Sequence, residues 1–335
     1  MPPLSKKRGG VMGVLDAEAK QYLGKKEAFA DAFNYLLYGG KQVIDPEKLQ
    51  EMDTSQIALP YGNNARLPVQ KYRDLLRIWE AMTDGKRVYV ILGAEIQGKI
   101  HYAMPVKDML YDAIGYSNQV EEVRHSLRNK DEVSDNSEAD LYAEDGVLKI
   151  KLTSEEFPSG FRKTDKLIPI ITAVIYVGAE PWDGPKSLLE MMDIDDKRII
   201  PFLNDYKLNI ISAADMDEED FDRFHTDLGL AMKIIKHQKD DADKIIEGTN
   251  HRKIDPDAAF FLKKAANLDL EFEREEDGID MCDSLKKKEQ RDKITGAIEA
   301  YREDGKSDED IIDRIIKKYQ VTRDYVLALL SPKPV

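Results

Sequence analysis

The sequence predicts an α/β protein in which a mixed central sheet is flanked by helices and followed by a helical C-terminal region. Two nearly continuous apolar runs, at 88–96 and 167–177, are typical of buried strands. Around them, apolar residues recur at three- and four-residue intervals, which is the period of an amphipathic helix. Helices that alternate with buried strands indicate a layered α/β core.

The N-terminal part of the chain predicts a helix and then a hairpin. Apolar residues of 16–37 share a helical face, with a break expected at Gly24. The polar, proline-containing stretch 44–59 is expected to be an irregular connection. Residues 75–79 and 88–96 predict two paired strands, because the Thr-Asp-Gly-Lys sequence between them is a tight-turn signal.

A second helix is expected to follow Pro105, since proline is favoured in a first helical turn. Its apolar residues are spaced by four and three positions along one face, which is predicted to be the buried face. These residues are Met109, Ala113, Tyr116, Val120, Val123 and Leu127.

The remaining elements suggest two domains. Residues 131–157 are acidic and polar, which predicts a mobile insertion, and a short strand is expected at 207–211. Beyond it the pattern becomes helical and charged, with two or three short helices towards the C-terminus. We therefore predict a first domain at 12–212 and a helical C-terminal region at 213–335.

Composition excludes several classes of protein. The chain has 50 basic and 64 acidic residues, a formal net charge of −14, which argues against indiscriminate coating of nucleic acid. The first 130 residues, however, carry 19 basic and 16 acidic side chains, so the N-terminal third is mildly basic. The best apolar run is about half of the ~20 residues that a membrane-spanning helix needs.

The single cysteine points to a reducing compartment, and the histidines do not suggest a metal site. A single cysteine, Cys282, excludes both an internal disulfide framework and a zinc cage built from thiolates. The N-terminus has no apolar segment long enough for a secretory signal, and a cytoplasmic protein is expected. The five histidines are scattered, and no pair has a spacing typical of metal ligands.

Two carboxylates are placed where they could hold a metal ion. Asp74 opens the first hairpin strand, and Glu95 lies near the end of the second, where a charged side chain after an apolar run needs a partner. Residues two apart share a strand face, so Glu95, Gln97 and Lys99 are expected to point the same way. Gly93 on that face leaves room beside them.

Magnesium is one partner that suits these residues. Mg²⁺ prefers hard oxygen ligands, which Asp74, Glu95 and the backbone carbonyl of Ile96 offer. The alternative is a surface aspartate and a strand-end glutamate that each meet an arginine or a lysine.

Longer fragments of the chain carry a resemblance. They include Tyr72-Arg73-Asp74, Ala94-Glu95-Ile96-Gln97, the stretches 100–106 and 109–113, Ser159-Gly160-Phe161-Arg162 and Trp182-Asp183-Gly184-Pro185. Together they cover roughly residues 15–215 and resemble the recombination-promoting nuclease (Rpn) family of putative transposases, in the PD-(D/E)XK nuclease superfamily. The resemblance implies a restriction-endonuclease-like core.

The resemblance also implies roles for individual residues. It assigns catalysis to Asp74, Glu95, Gln97, Asp16 and Lys20, with Glu18 as a rival for the acidic role of Asp16. It assigns the metal to Asp74 and Glu95, and it places Lys107 and Tyr111 where both could face a phosphate. From the residues themselves, the Ile96 carbonyl is a further candidate metal ligand, and Lys99 is a further candidate phosphate contact. Gln97 departs from the superfamily, where lysine is usual, and supplies no positive charge.

The expected function is a Mg²⁺-dependent DNA endonuclease, transposase-like, with Mn²⁺ as the alternative ion. A second hypothesis is a catalytically silent DNA-binding or regulatory protein on the same fold, and a third is an interaction scaffold unrelated to nucleic acid. A lysine that reaches the Asp74–Glu95 pair would favour the first. The expected partner is DNA and not a membrane, and the C-terminal helices are candidates for homo-oligomerisation or plain packing.

Overall fold

The computed structural model describes residues 12–58, 69–83, 86–131 and 153–331. The chain forms two compact units, Met1–Lys236 and His237–Val335, called unit 1 and unit 2 below. Segment 213–236, which the sequence analysis assigns to the C-terminal region, falls in unit 1. Most of the predicted acidic insertion, 132–152, lies outside the described residues.

Unit 1 is a mixed α/β unit. Its strands are β1 (Leu49–Glu51), β2 (Ser55–Ala58), β3 (Val69–Tyr72), β4 (Leu75–Thr83), β5 (Lys86–Gln97), β6 (Ile170–Tyr176) and β7 (Asn209–Ser212). Its helices are α1 (Met12–Leu23), α2 (Lys26–Tyr38), α3 (Met104–Asp131), α4 (Glu218–Phe221) and α5 (Leu228–Lys236), with short 3₁₀ turns at Pro46–Lys48, Leu189–Met191, Lys197–Phe202 and Ala213–Asp215.

The central sheet has five strands in the order β1-β4-β5-β6-β7. β1, β4 and β5 are antiparallel, whereas β5, β6 and β7 run parallel, so α3 is the crossover between β5 and β6. The predicted hairpin at 75–96, the buried strand at 167–177 and the mixed α/β class are thus confirmed. β2 and β3 form a separate two-stranded sheet.

The two faces of β5 meet different helices. On one face, Val174 and Tyr176 of the neighbouring β6 pack with Met104 of α3 and with Trp182. On the other, Leu92, Ala94 and Ile96 are buried, and the Arg77 guanidinium of β4 lies over the Phe29 ring of α2. A strand buried on both faces explains why its sequence is almost uninterrupted apolar.

Two predictions about local structure were wrong. The stretch 44–59 is not wholly irregular, because three-residue β1 pairs with β4 and buries Leu49. Strands this short show no usable alternation. In α3 the first turns bury Asp108 and Asp112, whereas Ala113 of the predicted apolar stripe is exposed. Buried carboxylates made the true inner face look polar in the sequence.

Buried polar side chains of α2 bind two other segments of unit 1 through hydrogen bonds. Buried Asp31 accepts the backbone N–H groups of His225 and Thr226 at 2.8–3.0 Å, close to the start of α5. Buried Asn34 accepts the N–H groups of Val43 and Ile44. Segment 213–236 is therefore an integral part of this unit.

Unit 2 is mainly helical, as expected for the C-terminal region. It contains α6 (Ala242–Glu247), β8 (Lys253–Ile254), α7 (Pro256–Ala265), β9 (Ile279–Asp280), α8 (Met281–Glu303), α9 (Asp308–Tyr319) and α10 (Arg323–Leu330). The last three helices enclose an apolar cluster of Ile294, Ile298, Ile311, Ile312, Ile315 and Val326. Among the described residues of both units, every helix is too short or too polar to span a bilayer.

Candidate active site at the end of β5

The strand register places Asp74 opposite Glu95. Leu75, the first residue of β4, pairs with Ala94 of β5, and Asp74 occupies the bend immediately before it. Asp74 Oδ2 accepts the backbone N–H of Ile96 at 2.9 Å, which fixes this carboxylate against the end of β5. The two acidic residues singled out in the sequence therefore meet at one edge of the sheet.

Each carboxylate is paired with a lysine from a different helix. Lys20 Nζ of α1 lies 2.6 Å from Asp74 Oδ1, and the two side chains are 45% and 18% exposed. Lys107 Nζ of α3 lies 2.7 Å from Glu95 Oε2, where the lysine is 28% exposed and the glutamate only 1%. The Asp74 pair is thus at the rim of the site, and the Glu95 pair is in its interior.

Burial changes the acid–base properties of the interior pair. Burial and the nearby charge of Asp74 raise the pKa of Glu95, although Lys107 acts in the opposite sense. Burial disfavours the charged form of Lys107, but the charge and hydrogen bond of Glu95 outweigh it and raise the pKa of the lysine. Burial and the charge of Glu95 likewise raise the pKa of Tyr111.

An arginine and an aspartate form the floor of the site. Arg73 has a fully buried side chain whose Nη2 lies 2.6 Å from Asp112 Oδ1 and whose Nη1 donates to Thr172 Oγ1 at 2.5 Å. Asp112 also accepts the Thr172 hydroxyl at 2.7 Å and the Tyr206 hydroxyl at 2.6 Å. This pair is buried but hydrogen-bonded on both sides, which is the condition for tolerating buried charge.

Gly93 has a different role from the one predicted. A Cβ at this position would lie 2.5 Å from Arg73 Nη1 and 3.3 Å from Thr172 Oγ1. The space beside Glu95 is therefore filled by the Arg73 guanidinium and is not left open for a ligand. A side chain at position 93 would displace the arginine from Asp112.

Asp108 is a third acidic group in the interior. It is 1% exposed, and burial together with the charge of Glu95 raises its pKa to about 8. Among the described residues, neither Asp108 Oδ1 nor Glu95 Oε1 has a hydrogen-bond partner. Buried oxygens without donors are expensive, and a bound cation is one way to satisfy them.

These atoms fit a divalent cation of the magnesium type. Asp74, Glu95 and the carbonyl of Ile96 offer only oxygen, which Mg²⁺ prefers. Glu95 Oε1 accepts no hydrogen bond from the described residues, so it is available as a metal ligand. For Asp74 to contribute, Lys20 must release Oδ1, and its exposed side chain permits this.

Other predicted residues have more varied places. Gln97 ends β5 and shares the face of Glu95. Lys99 does not share it, because β5 ends before the bend at 98–99 and Lys99 is exposed there. The Tyr111 ring lies 5.0 Å from the Arg73 guanidinium and 5.6 Å from Lys107 Nζ. Asp16 belongs to α1, but its side chain is outside the described part of the chain.

Sequence reasoning assigned no role to Arg73, Asp108, Asp112, Thr172 or Tyr206. Asp108 and Asp112 lie one helical turn apart, and Arg73 directly precedes Asp74. Acidic residues with helical spacing beside an otherwise apolar face are a usable signal for a buried ionic network. Tyr206, in a loop far along the chain, offers no such signal.

Comparison with known proteins gives no relative. No protein-family model, curated protein or solved structure matches the chain. The side chains at the end of β5 and their geometry are therefore the basis for assigning a function.

Proposed function

We propose that the protein is a Mg²⁺-dependent DNA endonuclease, transposase-like, that hydrolyses phosphodiester bonds. The observation that carries this proposal is the pairing of Asp74 and Glu95 at one sheet edge with a lysine on each, at 2.6 and 2.7 Å. Two carboxylates, two ammonium groups and a buried oxygen without a donor match the needs of metal-assisted phosphoryl chemistry.

The two acidic residues would hold the ion, with the Ile96 carbonyl as a third oxygen. Bound Mg²⁺, or Mn²⁺ in its place, would lower the pKa of a coordinated water and stabilise negative charge on the phosphoryl oxygens. Asp74 is oriented for this task by the Ile96 N–H. Glu95 is kept in place by Lys107.

The lysines supply the positive charge that Gln97 lacks. Lys20 is exposed enough to turn from Asp74 towards a phosphate, and Lys107 is near enough to Glu95 to exchange one anionic partner for another. Gln97, on the same face as Glu95, would orient the attacking water through its amide. Tyr111 sits beside Lys107 and would help to position the scissile phosphate.

DNA is the substrate that the charge distribution supports. The mildly basic first 130 residues contain every candidate site residue, including Lys20, Lys99 and Lys107. A polyanionic backbone is recognised mainly by such charges. The acidic excess lies in the remainder of the chain.

A catalytically silent DNA-binding protein on the same fold is the second candidate. It is favoured by Gln97, which supplies no positive charge beside the two carboxylates. In this second candidate the ion pairs only stabilise the fold. The wild-type protein and the carboxylate variants would then all bind DNA, and none of them would cleave it.

Cleavage of supercoiled plasmid by the full-length protein, with Mg²⁺ or with EDTA, tests the proposal. Asp74→Asn and Glu95→Gln should each reduce Mg²⁺-dependent cleavage about a thousandfold, because metal stabilisation of the transition state amounts to several kcal/mol. Asp193→Asn, at an exposed position, is the matched control. Equal cleavage by all variants would exclude the site, and DNA binding without cleavage would favour the silent protein.

A further inference from the structure

Unit 2 contains a second group of metal-ligating side chains, unrelated to the site above. His251, Asp280 and Cys282 each offer a ligand atom, and these atoms all lie within 4.8 Å of one another. His251 lies between α6 and β8, whereas Asp280 and Cys282 lie at the junction of β9 and α8. We call these three residues the His-Asp-Cys cluster.

Hydrogen bonds fix the positions of the Asp280 and His251 side chains. Asp280 caps α8, with Oδ1 accepting the N–H groups of Cys282 and Asp283 at 2.9 and 3.2 Å. Its second oxygen, Oδ2, lies 2.8 Å from His251 Nδ1.

The sulfur of Cys282 is surrounded by polar groups. It is buried and donates to the Ile246 carbonyl at 3.0 Å, while the His251 backbone N–H donates to it at 3.4 Å. Thr249 Oγ1 lies 3.2 Å away. Hydrogen bonds to a sulfur are a common means of orienting a metal-bound thiolate.

Capping of α8 does not by itself account for this arrangement. The cap needs only Asp280 Oδ1, yet a second carboxylate oxygen, an imidazole and a thiol converge on the same point. Asn250 and His251 both adopt left-handed backbone conformations, with φ of 50° and 62°, which direct the histidine into this group. Neither residue is a glycine, so the conformation is held by its surroundings.

We propose that the His-Asp-Cys cluster binds one divalent transition-metal ion of the zinc type. Thiolate, imidazole and carboxylate are the three ligand classes that Zn²⁺ accepts in tetrahedral sites. Asp283 Oδ1, 3.3 Å from His251 Nδ1, or a water supplies the fourth ligand. A pocket of about 300 Å³ beside His251 and Cys282 gives solvent access to that position.

Binding requires three hydrogen bonds to break: that of Cys282 to Ile246, that of Lys286 to His251 Nε2, and that between His251 Nδ1 and Asp280 Oδ2, whose proton is replaced by one on Nε2. The Cys282 thiol proton is released to solvent, and the sulfur exchanges its hydrogen bond to Ile246 for the metal. Lys286 Nζ, 2.8 Å from His251 Nε2, is exposed and turns towards solvent, so that the imidazole can take the tautomer that the metal needs. Lys286 therefore competes with the ion through its charge.

Cobalt(II) titration of the full-length protein, stripped with a chelator, tests the proposal. Cys282 is the only cysteine, so a thiolate-to-cobalt absorption band can arise nowhere else in the chain. We expect this band to saturate at one cobalt per chain and to be displaced by Zn²⁺. Cys282→Ser should abolish it. His251→Asn, which retains a residue that tolerates the left-handed conformation, should weaken cobalt binding at least ~10-fold.

Two further variants complete the design. His125→Asn changes an exposed histidine of unit 1 and should leave the titration unchanged. Lys286→Gln should tighten cobalt binding, since it removes the competing charge. A folded wild-type protein, judged by circular dichroism, that shows no thiolate band at excess cobalt would overturn the proposal. A band of unchanged strength in His251→Asn would do the same.

Discussion

Two buried arginines on neighbouring segments of unit 1 face opposite sides of the sheet, and their guanidinium groups have different kinds of partner. Arg73, on the α3 side, pairs with Asp112 at 2.6 Å and with Thr172 at 2.5 Å. Arg77, on the α2 side, contacts the Gly24 carbonyl, the Phe29 ring and the exposed carboxylate of Glu51.

The difference shows which side of the sheet is organised around charge. Burial lowers the pKa of Arg77, and among the described residues its Nη1 has no hydrogen-bond partner. The α3 side instead brings Asp108 and Asp112 towards Arg73 and Lys107. Charged side chains of both signs therefore surround Glu95 on the α3 side. On the α2 side, Arg77 is a single charge among mainly apolar side chains.

The largest expected effect is on the Arg73 side. Arg73→Met should lower the free energy of unfolding by about 4 kcal/mol, because it leaves Asp112 buried without its cation. Arg77→Met should cost only about 1 kcal/mol, since the ionic partner it loses is exposed. Both tryptophans, Trp79 and Trp182, lie buried in unit 1, so tryptophan fluorescence in urea follows this unit. An equal decrease in the free energy of unfolding in the two variants would contradict this difference between the two sides of the sheet.

Lys107 is expected to show the next largest effect. Lys107→Met should cost about 3 kcal/mol, because Glu95 would remain buried without its partner. Adding Glu95→Gln should restore most of the loss, since the uncompensated charge is then absent. Denaturation of the two single variants and the double variant gives the coupling energy. Additive losses would mean that the pair is not coupled.

Asp108 should make unit 1 less stable as pH rises. Its folded-state pKa of about 8 is above the unfolded value of 3.8, so the folded protein binds the extra proton between these values. The contribution of Asp108 to stability is therefore fully present below about pH 4 and is lost as pH rises through about 8. Asp108→Asn should make the free energy of unfolding less dependent on pH over this range, measured in the presence of EDTA. Parallel stability curves for the variant and the wild type would contradict the assignment.

The smallest effect is expected at Lys20. Its side chain is 45% exposed, so the ion pair with Asp74 should stabilise the fold by less than about 1 kcal/mol. Lys20→Met should therefore leave urea denaturation almost unchanged, in contrast to Lys107→Met. A loss as large as that of Lys107→Met would place Lys20 in the interior network and not at the rim.

The sequence predicts the parts of the fold that depend on local pattern. β5 and β6 are visible because strands buried on both faces are continuously apolar, and the α1–α2 break falls at Gly24, where it was expected. Asp74 and Glu95 are visible for the same reason, since they stand where an apolar strand begins or ends. Three-residue β1 is too short to leave a pattern.

Which lysine pairs with which carboxylate depends on distant segments and does not follow from residue spacing. Lys20 of α1 pairs with Asp74, and Lys107 of α3 pairs with Glu95. The number of residues between the partners is not distinctive in either pair. His251 and Cys282 are 31 positions apart and meet only because the α6–β8 turn lies beside the start of α8. A contact made by tertiary packing has no periodicity for sequence analysis to detect.

The proposed nuclease activity requires Asp74 and Glu95 to hold one divalent ion between them. Electron paramagnetic resonance of Mn²⁺ measures it directly, in Cys282→Ser protein so that the His-Asp-Cys cluster is disabled. We expect one Mn²⁺ bound per chain, displaced by Mg²⁺, and lost when either Asp74→Asn or Glu95→Gln is added. Binding that survives both substitutions, or that depends on only one of the carboxylates, would contradict a shared site.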